Sequence, residues 1–193
     1  PTSVTDENGQ STLEHYDALG RLTSVGRPLD RTGTDSKVFS YVPATVSGPV
    51  AWAAPARVQS LTNYNNTPDW ITSYTYTDGW GRPRQTQTVS PYTAGGTTFR
   101  IVSETQYDER GLVKDVSGPL SNALQAGSGM LTLSEASMLT YTKTAYDALA
   151  RPVSQTLYGR QTGSDPTTAQ AETDFYYYGD ATLVTPPVGP QTK

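Results

Sequence analysis

The stretch "EHYDALGRLTS", residues 14–24, decides the fold, because it returns almost unchanged as "TAYDALARPVS" at residues 144–154. A catalytic motif usually occurs once in a chain, whereas a structural unit is copied. Alignment on the four-residue unit Asp-x-x-Gly finds two further copies, which begin at Asp78 and Asp108. The four copies are unevenly spaced, so the repeat tolerates long insertions, unlike a strict solenoid repeat.

Each copy lies between two strand-like runs. The run before it ends in Tyr, as in "STLEHY" and "RIVSETQY", although in the second copy Thr77 holds that place and Tyr76 comes one residue earlier. The residue after the unit is Arg in three copies and Leu112 in the third. Thr, Val and Tyr favour strands, so each copy predicts a strand, a turn and a second strand.

The turn itself follows from local chemistry. Asp at the first position can accept hydrogen bonds from backbone N–H groups two residues later. Gly at the fourth position adopts a positive φ without a Cβ clash, which lets the chain reverse into a hairpin with a bulge. Ala150 takes the Gly place in the fourth copy, where a left-handed backbone would cost roughly 1–2 kcal/mol. We predict that this turn either has another geometry or carries that strain.

The predicted hairpin turns lie near residues 17–20, 78–81, 108–111 and 147–150 of a single repeat segment, 1–193. The residues assigned to the repeat motif are Tyr16, Asp17, Gly20, Arg21, Tyr76, Asp78, Gly81, Arg82, Tyr107, Asp108, Gly111, Tyr146, Asp147, Ala150 and Arg151.

The segments between the copies also resemble strands or turns. Further strands are expected at residues 37–46, 56–64, 172–178 and 181–185, with turns at 64–69 and 178–180. Two loop insertions are expected near 47–56 and 117–138. The second is expected to be a surface excursion with one short helix near 134–138. The fold class is therefore all-β, built from consecutive antiparallel β-hairpins.

The composition agrees with this fold and excludes several functions. Tyr accounts for 13 of the 19 aromatic residues, and charged residues for 17%, with a net charge of −4. No basic cluster could neutralise a run of phosphates, so nucleic acid is not an expected partner. No stretch approaches the ~20 apolar residues of a membrane span, and the stretch "PTSVTDENGQST" has no signal-peptide character. The absence of Cys excludes disulfides and thiolate metal sites.

Several segments resemble a known family. "YDALGRLTSV", "YDERGLV" and "YDALARPV" resemble the YD repeats of Rhs proteins, which also occur in large bacterial toxins, including insecticidal toxin complexes, and in the teneurins. "SYTYTDGWGRPRQTQT" and "YYYGDATLVTPPVGP" resemble segments of actinobacterial Rhs proteins. The resemblance covers residues 11–190.

The resemblance implies a curved, spiralling sheet that is a segment of a hollow shell. In the toxin members, such a shell encloses a C-terminal toxin domain. The implied partners are thus the rest of the shell and the enclosed toxin, and the implied location is secreted or at the bacterial cell surface. The family's self-cleaving Asp-Pro-x-Gly-Leu motif is not carried over, because Asp165-Pro166-Thr167 lacks its Gly and Leu.

Catalytic, cofactor and metal sites are not expected. His15 is the only histidine, and no Ser-His-Asp arrangement can be assigned to it from the sequence. On a strand it is expected to lie on a face of the sheet. The turn aspartates would need to converge at ~5–10 Å to act as a glycosidase pair, whereas repeated hairpin tips do not converge. "TDENG" at residues 5–9 hints at a calcium loop but lacks its alternating acids.

The aromatic residues leave an alternative open. Tyr side chains on strands can stack against sugars, so a carbohydrate- or receptor-binding β module is the second hypothesis. Tyr16, Tyr107 and Tyr146 share one place in the repeat, which favours packing between strands. The Arg after each turn is expected to pair with the Asp of an adjacent turn or to stack on a Tyr ring. Exposed edge strands would favour self-association.

Overall fold

The computed structural model describes residues 2–28, 30, 35–47, 51–63, 70–94, 96–159 and 169–187. Contacts divide the chain into two compact units. Unit 1 comprises Pro1–Ile101 and Asn122–Met130, and unit 2 comprises Val102–Ser121 and Leu131–Lys193. In the described residues the regular elements are strands, apart from one short 3-10 helix at Glu135–Ser137. The predicted all-β class is confirmed.

Unit 1 is a sheet of antiparallel strands that pair in the order β1-β2-β3-β4-β7-β8-β9-β10, where β10 is shared by both units. Strands β5 and β6 form a separate hairpin. The bounds are β1 Ser3–Thr5, β2 Ser11–Tyr16, β3 Leu22–Gly26, β4 Lys37–Val42, β5 Thr45–Ser47, β6 Ala51–Ala54, β7 Arg57–Asn63, β8 Trp70–Thr77, β9 Pro83–Ala94 and β10 Thr97–Tyr107.

Unit 2 continues from the second half of β10 in the order β11-β13-β14-β15-β16, again antiparallel, and β12 pairs with β10. The bounds are β11 Val113–Ser117, β12 Leu120–Asn122, β13 Thr140–Tyr146, β14 Pro152–Gly159, β15 Ala169–Tyr178 and β16 Ala181–Thr185.

The two predicted insertions differ from the expected loops. The stretch expected as a loop at 47–56 contains β6 and the end of β5, so it is largely a hairpin. The long insertion contains β12 and the 3-10 helix, close to the expected helix. It is not a surface excursion, because its side chains supply the core of unit 2. The turn expected at 64–69 and Asp165-Pro166 lie outside the described residues.

The core of unit 2 is small and apolar. Val102 and Tyr141 from the sheet are buried against Leu133 and Met138 from the insertion. Tyr141 stacks on Tyr158 of the neighbouring strand, with ring centroids 4.8 Å apart and planes 8° apart. The insertion therefore covers a sheet face that would otherwise expose apolar side chains to water.

The covered face of unit 1 is polar instead. Tyr76, Gln85, Gln87 and Arg100 are among the most deeply buried side chains in the described part of the chain. Residues 122–130, which we call the covering segment, lie on this face and hydrogen-bond to its side chains. Buried polar groups need such partners, so these hydrogen bonds hold the segment on the polar face.

Candidate functional site, the aspartate turn of each hairpin

The four predicted turns share one backbone structure, which we call the aspartate turn. In the first, Gly20 N–H donates to Asp17 O at 3.0 Å, and Asp17 N–H donates to Arg21 O at 2.9 Å. The same two bonds recur in the turns that begin at Asp78, Asp108 and Asp147. Gly20, Gly81 and Gly111 have φ of 76°, 78° and 83°. The turn thus has a closed backbone that requires a left-handed residue at its fourth position.

The Asp side chain completes the turn in the same way each time. Asp17 Oδ1 accepts bonds from the backbone N–H groups of Leu19 and Arg21, both at 2.9 Å. The equivalent pairs of bonds reach Asp78, Asp108 and Asp147. One carboxylate oxygen therefore satisfies two backbone donors of the loop, which explains why Asp occupies this position.

Ala150 adopts the strained geometry that the sequence left as one of two alternatives. Its φ is 63°, the one positive φ of a non-glycine residue in the described part of the chain. Ala150 N–H still donates to Asp147 O, at 3.2 Å rather than the 2.9–3.0 Å of the other copies. The fourth turn keeps the shared structure and carries the cost of a left-handed Cβ.

The Arg after the turn binds the Asp of its own turn, not that of an adjacent turn as expected. Nε and Nη2 of Arg21 both lie 2.7 Å from Asp17 Oδ2. Arg82 and Arg151 repeat this two-point contact with Asp78 and Asp147 at the same distances. Local spacing explains the difference, since the fifth residue of a tight turn lies next to the first.

Three of these Arg side chains also stack on aromatic rings. Arg21 lies 4.4 Å from the ring centroid of Tyr41, and Arg151 lies 4.3 Å from that of Tyr177. Arg82 stacks on Trp80 in its own turn at 4.8 Å. The aromatic stacking agrees with the expectation from sequence, although Trp80 was not foreseen as a partner.

The third turn compensates for its missing Arg. Leu112 occupies the Arg place, and Arg110 instead reaches Asp108 Oδ2 through Nε at 3.3 Å. Arg110 Nη1 also donates to Asp147 O at 2.7 Å. This contact joins two neighbouring aspartate turns within unit 2.

The pKa values of Asp17, Asp78, Asp108 and Asp147 lie below the ordinary value of an Asp side chain. For Asp17 and Asp147 the main cause is the backbone hydrogen bond from the following Arg, which outweighs partial desolvation. For Asp78 and Asp108 desolvation raises the pKa, but the combined hydrogen bonds from backbone and Arg side chains lower it further. The turns are therefore built for the ionised carboxylate.

Tyr hydroxyls on the next strand join three of the four hairpins to their neighbours. Tyr41 donates to Leu22 O at 2.8 Å, Tyr146 to Val113 O at 2.9 Å, and Tyr177 to Pro152 O at 2.8 Å. Each acceptor is the sixth residue counted from a turn Asp. Because Tyr41 and Tyr177 also lie under the Arg of that turn, one ring contributes a hydrogen bond and a cation–π contact.

The predicted Tyr positions are not equivalent in the structure. Tyr146 joins two hairpins, whereas Tyr16 is 43% exposed and donates to Glu14 Oε2 at 2.7 Å on its own strand. Tyr76 is buried in the covered face of unit 1, and Tyr107 is partly buried at the end of β10. Sequence reasoning missed Tyr41 and Tyr177, because neither directly precedes an Asp.

The strand after each of these four turns bulges at the same place. His15 faces Ser24 and Tyr16 faces Leu22, which leaves Thr23 as the extra residue. The extra residues of the other three hairpins are Arg84, Lys114 and Val153. A bulge bends its strand and increases the local twist, so the repeat encodes a change of strand direction as well as a reversal.

A fifth aspartate turn was not recognised in the sequence. Asp6 Oδ1 accepts bonds from Asn8 N–H at 2.9 Å and Gln10 N–H at 2.8 Å, and Gly9 has a φ of 75°. From sequence, "TDENG" was considered only as a calcium loop, which was not favoured, and it was not counted among the repeats. Its Asp-x-x-Gly spacing was the available signal, obscured because Thr5 and Gln10 replace the flanking Tyr and Arg.

A second charged cluster lies in unit 2. Glu135 pairs with Lys143 at 2.9 Å and with Lys114 at 3.4 Å, and these contacts lower the pKa of Glu135, chiefly through Lys143. Lys114 also lies 3.3 Å from the buried Asp115, which raises the pKa of Lys114. Burial raises the pKa of Tyr141 to about 12. The lysines balance the carboxylates, so this cluster holds the 3-10 helix against the sheet.

The described residues contain no group of three or more His, Cys, Asp or Glu side chains placed to hold a metal ion. In that same part of the chain, none of the helices has the length and apolar character of a membrane span.

Comparison with known protein families supports the resemblance in one part of the chain. Residues 1–32, which contain the turns at Asp6 and Asp17, match the family model described as RHS Repeat. The match covers these residues only, and it agrees with the Rhs/YD-repeat resemblance stated from the sequence. No curated protein matches this chain by sequence.

Two solved structures share the fold. The crystal structure of TcdB2-TccC3 aligns with 97% of this chain and 11% of its own, at a TM-score of 0.64 and 15% identity. The crystal structure of TcdB2-TccC3 without hypervariable C-terminal region aligns with 96% of this chain and 15% of its own, at a TM-score of 0.57 and 13% identity. At such identities the likeness shows the fold, and this chain spans only a small part of the length of either structure.

Proposed function

We propose that the chain is a non-catalytic wall segment of a bacterial Rhs/YD-repeat shell that encloses a C-terminal toxin domain. The observation that carries the proposal is the aspartate turn, built five times with the same side-chain and backbone hydrogen bonds. A device repeated in this way serves construction of a sheet rather than chemistry at one point. The fold shared with TcdB2-TccC3 supports the same function.

In this proposal the residues of the repeat motif act mechanically. Each Asp closes a turn, and the left-handed fourth residue lets it close. In three of the turns the following Arg joins the turn to an aromatic ring. Each hairpin then adds two strands to the wall. The partners are the remaining wall and the enclosed domain, and the protein acts outside the cell or at its surface.

Edge strands are the natural place for contact with the rest of the wall. β1 ends the strand order of unit 1 and β16 ends that of unit 2, and both are exposed along their described lengths. An edge strand offers unpaired backbone groups to another strand. We therefore expect neighbouring wall segments, or other copies of this chain, to pair with these strands.

Protease protection tests the proposal. The polypeptide carrying this segment and the enclosed domain is digested under native conditions, with Asp108→Ala as the variant and Glu109→Ala as the control. Glu109 lies in the same turn, is exposed, and loses the same charge when replaced. We expect the domain to be protected in the wild type and the control, and cut sooner in Asp108→Ala. A domain cut equally fast in all three proteins would overturn the proposal.

Glycan binding separates the alternative hypothesis. The wall proposal expects no saturable sugar ligand on a glycan array. Saturable binding that disappears in Tyr92→Ala, which removes a 64% exposed aromatic side chain, would favour the carbohydrate-binding module instead.

A further inference from the structure

The covered face of unit 1 contains two arginines with no carboxylate partner among the described residues. Arg100 is only 2% exposed, and its guanidinium donates to Asn122 Oδ1, Gln87 Oε1, Ser128 Oγ and Gly129 O at 2.7–3.4 Å. Arg57 Nη1 donates to Gly127 O at 2.8 Å. All of these acceptors are neutral. Burial of a charge is costly unless a counter-charge accompanies it, and neither guanidinium has one among its hydrogen-bond partners.

The same face also contains donors without an acceptor. Arg57 Nε and the Tyr76 hydroxyl are both buried, and neither has a hydrogen-bond partner in the described part of the chain. Arg57 and Tyr76 are directly opposite each other in the β7–β8 register, a placement that brings Cβ atoms within about 4.5–5.5 Å. Two orphan donors on neighbouring side chains need an acceptor that the described protein atoms do not supply.

The two observations converge on one region. Tyr76 is 1% exposed, and its electrostatic influence on the pKa of Arg100 places the phenol near that guanidinium, whose pKa burial lowers. Gln87, which binds Arg100, faces Tyr74 in the β8–β9 register, two residues from Tyr76 on the same face. The orphan donors and the uncompensated charge thus lie on one face of β7–β10 in unit 1.

We propose that Arg57, Tyr76 and Arg100 form a binding site for a small singly charged anion, such as chloride or a carboxylate group. A water molecule could satisfy the orphan donors, but an anion satisfies them and also offsets part of the positive charge of the two guanidinium groups. The covering segment supplies neutral carbonyl and hydroxyl groups at the edge of this site, and these fix the arginines without neutralising them. The site is separate from the aspartate turns and does not depend on the proposed wall function.

Thermal unfolding of the 193-residue chain at constant ionic strength tests the site. Sodium gluconate, whose anion is too bulky for a buried site, is replaced stepwise by sodium chloride in one series and by sodium acetate in another. We expect Tm to rise by about 3 °C for each tenfold increase in chloride above its dissociation constant. If Tm rises in the chloride series but not in the acetate series, the site binds a free halide. If Tm also rises in the acetate series, the site can bind the carboxylate group of a polypeptide as well.

Two variants and a control locate the effect. Tyr76→Phe removes one orphan donor with little change of shape and should weaken the response to chloride, and Arg57→Gln should abolish it. Arg27→Gln removes an exposed Arg and should leave the response unchanged. A wild-type Tm that is the same in all three salts, or an equal response in Arg57→Gln, would overturn the proposal.

Crystallography with bromide tests the site in the wild-type chain, so the result does not depend on whether the variants fold. Crystals of the wild-type chain soaked in sodium bromide should show an anomalous peak between Arg57, Tyr76 and Arg100. An ordered water in that position, without anomalous signal, would show that the donors are hydrated and the site is not an anion site.

Discussion

Arg151 contacts Asp147 through two nitrogens, Nε and Nη2, both 2.7 Å from Asp147 Oδ2, and Arg21 contacts Asp17 at the same distances. The two pairs lie in different units of the chain, yet one geometry serves both. A contact formed within five consecutive residues depends little on its surroundings. This independence lets the turn be copied along a sheet whose other parts differ.

Ala150→Gly should stabilise the protein. A left-handed Ala costs about 1–2 kcal/mol, and the greater freedom of Gly in the unfolded chain offsets about 0.4–1 kcal/mol of that gain. We expect a net gain of roughly 0.5–1 kcal/mol, measured as a higher urea midpoint with an unchanged slope.

Two matched substitutions bracket this result. Gly20→Ala places a Cβ at a φ of 76° and should destabilise the fold by a comparable amount, whereas Gly79→Ala, at a position without a positive φ and with no atom within 4 Å of the added Cβ, should be close to neutral. A stability loss in Ala150→Gly would show that the Ala methyl group contributes packing that outweighs its strain.

Acid should weaken the fold through the turn aspartates. Their folded pKa values are lowered, so the unfolded chain binds more protons than the folded one when pH falls. The stabilisation is present above the unfolded pKa of about 3.9 and is lost as pH falls through the folded pKa. Urea midpoints between pH 7 and pH 2.5 should therefore decline mainly below about pH 5.

Asp108→Asn isolates the contribution of one turn. The amide keeps an acceptor for the backbone donors but removes the charge, so stability at pH 7 should fall and the acid decline should become shallower. Glu109→Gln, in the same turn, should leave the dependence of stability on pH unchanged, because the hydrogen bonds of the turn are made by Asp108 and not by the Glu109 side chain. Identical acid profiles for Asp108→Asn and the wild type would contradict the assignment.

Tyr177→Phe should cost about 1 kcal/mol, the usual net contribution of one hydrogen bond. The variant loses the bond to Pro152 O but keeps the ring under Arg151. Tyr176→Phe is the matched control, because Tyr176 is the adjacent residue and is 48% exposed. Equal free energies of unfolding for the two variants would show that the Tyr177 hydroxyl does not stabilise the attachment of its hairpin.

Gly127→Ala should loosen the covering segment. A Cβ at Gly127 would lie 2.5 Å from Cζ of Tyr74, and forcing such a contact typically costs about 1–3 kcal/mol. Amide hydrogen exchange should accelerate within residues 122–130 in this variant. Gly9→Ala, at a φ of 75° and with no atom within 4 Å of the added Cβ, carries the backbone cost without the clash. The stability that Gly127→Ala loses beyond Gly9→Ala therefore measures the clash. Unchanged exchange within residues 122–130 in Gly127→Ala would contradict the prediction.

The sequence by itself determined the hairpins of this protein. Asp, Gly and Arg at fixed spacing specify a turn through bonds within five residues, and the flanking Thr, Val and Tyr specify strands, so the four turns and most strands could be predicted. The turn at Asp6 followed the same rule but lacked the flanking Tyr and Arg, and it was therefore not recognised as a copy of the repeat.

Tertiary structure decided what covers the sheet. The insertion at 117–138 has the Gly- and Ser-rich composition of a surface loop. Its Leu133 and Met138 are nevertheless buried in unit 2. In unit 1, the Gly129 carbonyl accepts hydrogen bonds from the Gln87 and Arg100 side chains. These hydrogen-bond partners are far apart in sequence: Gln87 and Gly129 are separated by 42 residues, and Arg100 and Gly129 by 29. The hydrogen bonds of a turn join residues within one short stretch, so they can be predicted from the local sequence. Burial of a sheet face depends on which distant segment folds over that face.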